Sequence, residues 1–88
     1  MLRFWFELNL SIDILHPPGT LLGCGITAYD LNYALNILHT NVFKGFDAPK
    51  IKNIKEGVDI RSLDQAHVIP NIGVVSRRGV WFPLGYDV

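Results

Sequence analysis

Residues 2–10 alternate, with Phe4, Phe6, Leu8 and Leu10 on one side and Arg3, Trp5, Glu7 and Asn9 on the other. A period of two marks a strand with one buried face, because successive side chains leave a pleated backbone in opposite directions. Trp5 falls on the nominally polar side, so that side is expected to be partly covered too. His16-Pro17-Pro18-Gly19 ends the pattern in a turn. A second strand is predicted over 21–27, LLGCGIT, where Gly23 and Gly25 leave alternate positions of one face without a side chain. Glycine inside a strand marks a bulge or the close approach of another element.

The next segment changes period. Thr27-Ala28-Tyr29-Asp30 fits a capping box, in which the threonine hydroxyl and the aspartate three residues on satisfy orphan backbone amides. Leu31, Ala34, Leu35, Leu38 and Val42 then make one apolar stripe at helical spacing, with Tyr33 and Ile37 on its flank. Lys44 suits the negative end of the helix dipole, and Gly45 provides a stop. Residues 50–60, KIKNIKEGVDI, alternate imperfectly and are expected to form a strand bent at Gly57. Residues 62–65, SLDQ, are expected to form a short helical turn, since serine and aspartate cap their own neighbouring backbone. Residues 72–75 and 80–84 read as the arms of a terminal hairpin around Ser76-Arg77-Arg78-Gly79, with Pro83 ending the second arm or placing it at an edge.

The predicted order is β-β-α-β-β-β in one domain over residues 1–88. It is an α+β fold with one amphipathic helix on one face of a mainly antiparallel sheet of four to five strands. With no second helix to cover it, the sheet face carrying Trp5 is the expected dimerisation surface.

Composition sharpens this picture. Of the 88 residues 49% are hydrophobic and only 18% charged, below the roughly 25% of an average domain. An apolar excess in so short a chain points to an oligomer interface or a dedicated partner. Eight basic and eight acidic residues cancel, which argues against nucleic acid as a partner, since its binders carry a basic excess. Lys44, Lys50, Lys52 and Lys55 gather locally, but lysines that guard an edge strand against wrong pairing explain them better than an anion-binding face. Glu7, Asn9 and Asp13 interrupt the apolar start, no small-residue cleavage site follows, and no apolar run is long enough to span a membrane. A cytoplasmic location is expected.

Cys24, the sole cysteine, rules out an intramolecular disulfide and a cysteine-based zinc cluster. The sharpest enzymatic arrangement makes Cys24 a nucleophile, His67 its base, and Asp64 or Asp59 the orienting carboxylate. Against it, a cysteine between glycines in an apolar strand is ordinarily buried filler, and aspartates in turns ordinarily cap their own backbone. His16, His39 and His67 share no metal-ligand spacing, so no metal is expected. Gly23-Cys24-Gly25 lacks the spacing of any phosphate loop, and no cofactor is expected. Arg77 and Arg78 at a hairpin tip, with Trp81 nearby, are the better binding candidates, because arginine pairs with carboxylates and stacks on aromatic rings.

The blocks GCGITAYD, DIRSLDQAHVIPN and RGVWFPLGY resemble those of a group of small bacterial proteins of similar length. The resemblance runs over nearly the whole chain and implies one compact bacterial domain, with no activity or site residue attached. The apolar and aromatic excess, the balanced charge and the lack of a complete catalytic set favour a protein–protein interaction module, a homodimer or the partner of another bacterial protein, of a size that fits an immunity or antitoxin-like role. The alternative is a small enzyme or small-molecule binder that uses the 59–71 loop with Cys24 and His67, or Arg77 and Arg78.

Overall fold

Phe4 and Phe6 find their partners in the next strand of the chain, and this pairing sets the frame. The computed structural model describes residues 1–10 and 15–86. Strand β1 (Leu2–Leu8) lies beside β2 (Cys24–Ala28), with Phe4 opposite Ile26 and Phe6 opposite Cys24. Strand β3 (Ile51–Glu56) flanks β1 on its other side, and β4 (Gly79–Phe82) flanks β2. The result is a four-stranded antiparallel sheet in the order β3-β1-β2-β4, covered by one helix, the expected α+β class.

One sheet face carries Phe4, Phe6, Cys24, Ile26, Ala28 and Val80. Against it lies α1 (Leu31–Ile37), continued by a π turn (Leu38–Val42), which contributes Ala34, Leu38 and Val42 from the predicted stripe. In the π turn the Phe43 amide donates to the Leu38 carbonyl at 2.9 Å, one residue further than in an α-helix. The wider turn lets the consecutive residues Val42 and Phe43 both reach the core. The helix starts later than a capping box at Thr27 implies. Asp30 is the N-cap and accepts from the Tyr33 amide at 3.0 Å, the role in which a short carboxylate side chain is favoured. Thr27 stays in β2 and donates its hydroxyl to the Val75 carbonyl at 2.6 Å.

The opposite face is built around two indoles. Trp5 stacks on Trp81 with ring centroids 5.9 Å apart, and Phe82 meets Trp5 at 5.6 Å. Trp81 and Phe82 share this face because a bulge interrupts β4. Val80 pairs with Ile26 and Phe82 with Gly25, so Trp81 is the extra residue. Gly25 in β2 and Gly23 just before it make room for the rings. A Cβ on Gly25 would lie 2.4 Å from the Trp81 six-membered ring, and one on Gly23 would lie 2.7 Å from the Trp5 ring.

This face was the expected dimerisation surface, and the chain itself closes it. Residues 58–75 fold across it in short turns, with Val58, Leu63 and Val68 buried on the indoles and Ile60, Ile69, Ile72 and Val75 packed around them. The same packing removes one predicted strand. Residues 72–75 do not pair along β4; the segment touches it through the Gly73 amide and the Trp81 carbonyl, at 2.7 Å. Burying Ile72 and Val75 on the tryptophans replaces the ladder that a hairpin would have made. Residues 20–22 form a 3₁₀ turn, so β2 is shorter than the stretch 21–27. No helix among the described residues is long and apolar enough to cross a membrane.

Candidate functional site

The nucleophile arrangement does not assemble. Cys24 is fully buried on the helix side of the sheet, where desolvation pushes its thiol up to about 12. His67 is exposed on the segment that covers the opposite face, 3.3 Å from Asp64 through Nδ1 and Oδ2. Gly23 and Gly25 seat indoles and frame no oxyanion site. A pKa raised from 9.0 to about 12 leaves about a thousandfold less thiolate at neutral pH. The native protein is therefore expected to react with an aromatic disulfide reagent at least about a thousandfold more slowly than the urea-unfolded chain. Comparable rates would show that Cys24 is accessible.

The two aspartates lock turns. Asp59 accepts from the Arg61 amide at 3.0 Å and holds the Arg61 guanidinium through both carboxylate oxygens, which lowers its pKa. Asp64 accepts from the amides of His67 and Ala66, at 3.0 and 2.8 Å, and also meets the His67 ring. These bonds hold its carboxyl below the ordinary value. Because the folded pKa is the depressed one, this contribution is complete above the unfolded pKa and is lost as pH falls through the folded value. The Asp64 carboxyl carbon resonance is expected to titrate with a midpoint below 3.8. A midpoint at or above that value would show the carboxylate unengaged. Among the described residues no group of three or more histidine, cysteine, aspartate or glutamate side chains is placed to hold a metal ion.

Of the binding candidates, Arg77 and Arg78 are exposed in the turn before β4, whereas Trp81 is 1% exposed and its ring meets only the interior. Trp81 therefore belongs to the buried cluster on the face opposite the helix, where it stacks on Trp5. Arg78 does find a setting. With Gly79 it forms one wall of a groove of about 390 Å³, whose other wall is the outward side of the helical segment: Tyr33, Asn36, Ile37, Thr40 and Asn41. The pairing of Thr27 with Gly79 in the β2–β4 ladder brings the start of the helix beside the Arg78 turn.

Two aromatic side chains extend this groove. Tyr29 and Tyr33 are 61% and 53% exposed and meet edge to face, ring centroids 5.9 Å apart at 72°. The Tyr33 backbone is fixed by the Asp30 cap, and the Thr40 hydroxyl is tied to the Asn36 carbonyl at 2.8 Å. Among the described residues, Arg78 and the Tyr33 phenol are the ionisable groups lining the groove. In the sequence Tyr33 lies on the flank of the core stripe, yet its side chain is turned to solvent. The signal for the groove was the polar run Asn36, Thr40 and Asn41 on the side of the helix away from Ala34, Leu38 and Val42.

No protein-family model matches the chain. No curated protein and no solved structure matches it significantly either.

Proposed function

We propose that the protein is a cytoplasmic recognition module that binds another protein through the Tyr29–Tyr33–Arg78 surface. The observation that carries this reading is the pair of exposed, mutually packed tyrosines beside an arginine-walled groove. Tyrosine and arginine are the residues that dominate interface hot spots. They bring large contact area with few rotatable bonds and leave polar ends to pair at the rim. The groove's formal charge comes from Arg78, so the complementary surface is one that offers a carboxylate among apolar side chains. A second copy of the chain fits less well. The Asp30 carboxylate, three residues before Tyr33, is engaged by the Tyr33 amide, and Trp5, Trp81 and Phe82 on the opposite face are buried by the chain's own covering segment. A single cysteine, buried as a free thiol, suits a reducing compartment.

Affinity capture from cells that naturally produce the protein tests this, with the native chain, Tyr33→Ala and Arg78→Glu as baits. The expected result is one protein retained by the native bait and reduced at least about tenfold with either variant, the size of effect a hot-spot side chain carries. Both positions are exposed, so circular dichroism should show unchanged folding. Equal capture by all three baits, or capture of the bait's own copies alone, would overturn the proposal.

A further inference from the structure

On the tryptophan side of the sheet, away from the helix, β1 and β3 meet the Thr20–Leu22 turn around a cleft of about 330 Å³. Its floor is Trp5, 4% exposed, and its apolar walls are Leu21 and Leu22 from the turn and Leu63 from the covering segment. Leu21 and Leu22 are 66% and 47% exposed, adjacent leucines presented to water beside an aromatic floor. Gly19 and Gly23, at φ 82° and 126°, bound the turn that holds them there.

The rim comes from an irregularity in β3. Glu7 pairs with Asn53 and Leu8 with Ile51, so Lys52 is an extra residue in the strand. In regular pairing Lys52 would oppose Leu8 and share its helix-side orientation. The bulge releases Lys52, and it lines the cleft together with Lys55. Guarding an edge strand requires only that a lysine meet solvent, so the bulge adds something that guarding does not need. The other charges of the cleft are engaged. Lys55 Nζ lies 3.4 Å from Glu7 Oε1, and Asp64 accepts from the amides of its own turn and from His67. Lys52 makes no ion pair with any described carboxylate.

We propose that this cleft binds a small amphipathic monocarboxylate, its apolar body over Trp5 between Leu22 and Leu63 and its carboxylate at Lys52. The volume lies at the lower end of ligand pockets, roughly 300–1,000 Å³, which limits the occupant to a short aliphatic chain or a single ring. One uncompensated cation matches one negative charge. A doubly charged phosphate would place its excess charge near Glu7 and Asp64. The site is separate from the helix groove and does not depend on it.

Nuclear magnetic resonance titration of the whole chain with hexanoate, hexanamide and acetate tests the proposal. Hexanoate is expected to give saturable shifts at the Trp5 indole and the Leu22 and Leu63 methyls below about 10 mM. Hexanamide, with the body but no charge, and acetate, with the charge but no body, are each expected to bind at least about threefold more weakly. Lys52→Gln, at an exposed position, should weaken hexanoate about threefold and leave hexanamide unchanged. Leu22→Ser should weaken both. Absence of saturable shifts with hexanoate, equal binding of the amide, or an unaltered Lys52→Gln would overturn the assignment.

Discussion

Gly25→Ala is expected to destabilise the protein by about 3 kcal/mol, a large share of the roughly 4–13 kcal/mol available to a chain of this length. The added methyl would stand 2.4 Å from two carbons of the Trp81 ring and 2.5 Å from a third, inside any real carbon–carbon contact. The ring has no easy retreat. It is 1% exposed, stacked on Trp5, and enclosed by the segment 58–75. The backbone of Gly25 is itself fixed in the sheet by pairing with both Trp5 and Phe82. Urea denaturation followed by far-ultraviolet circular dichroism measures the loss. Trimming the ring in the double variant Gly25→Ala/Trp81→Leu should return part of it, with a coupling of about 1 kcal/mol or more between the two sites. A Gly25→Ala protein within about 0.5 kcal/mol of the native one would show that the indole does not sit on Gly25.

The second large effect concerns Trp81 itself. Trp81→Ala is expected to cost about 3–5 kcal/mol, since it deletes the largest fully buried side chain and leaves Trp5, Phe82 and the covering segment without support. Trp81→Phe should behave very differently. The indole Nε1–H is buried and finds no hydrogen-bond partner among the described residues. An unsatisfied buried donor costs about 1–3 kcal/mol, and phenylalanine removes it. That gain offsets much of the packing lost with the smaller ring, so Trp81→Phe is expected within about 1 kcal/mol of the native protein. The same denaturation experiment decides it. A phenylalanine variant as unstable as the alanine one would mean that Nε1–H is paired after all.

Sequence pattern revealed the helix side of this fold well and the tryptophan side poorly, for a physical reason. Phe4 and Phe6 alternate in a strand, and Ala34, Leu38 and Val42 repeat at helical spacing; both periods report the face that a regular element buries. The cover of the opposite face has no period. Val58, Leu63 and Val68 sit in turns, where apolar residues follow the shape of the surface below them. Residues 72–75 resembled a strand because apolar runs suit either a ladder or a lid, and only the tertiary partner decides. Trp5 on the polar side of β1 was the legible hint that this face is covered, and Gly23 and Gly25 were the hint of close approach. What approached them were two indoles of the same sheet, Trp5 at Gly23 and Trp81 at Gly25.

The candidate chemistry divided along the same line. Asp59 and Asp64 were readable as turn-capping residues because aspartate bonds its own backbone locally. Whether Cys24 and His67 meet depended on which sheet face each serves, and strand alternation alone leaves that open. Arg78 was readable as exposed, but its groove was not, since the facing wall comes from a helix some forty residues earlier. Lys52 was hidden for another reason. A bulge shifts the alternation by one, and the segment 50–60 shows this only as an imperfect pattern.

The most direct test of the recognition surface is site-specific photo-crosslinking in the cells that naturally produce the protein. A benzophenone side chain placed at position 33 probes the groove, and one at position 67, also exposed but on the opposite side of the sheet, serves as the control. The expected result is a light-dependent covalent adduct with one other protein from position 33 and none from position 67. An adduct from position 67 alone, an adduct only between copies of the chain, or no adduct from either position would contradict the assignment of Tyr29, Tyr33 and Arg78 as the binding surface.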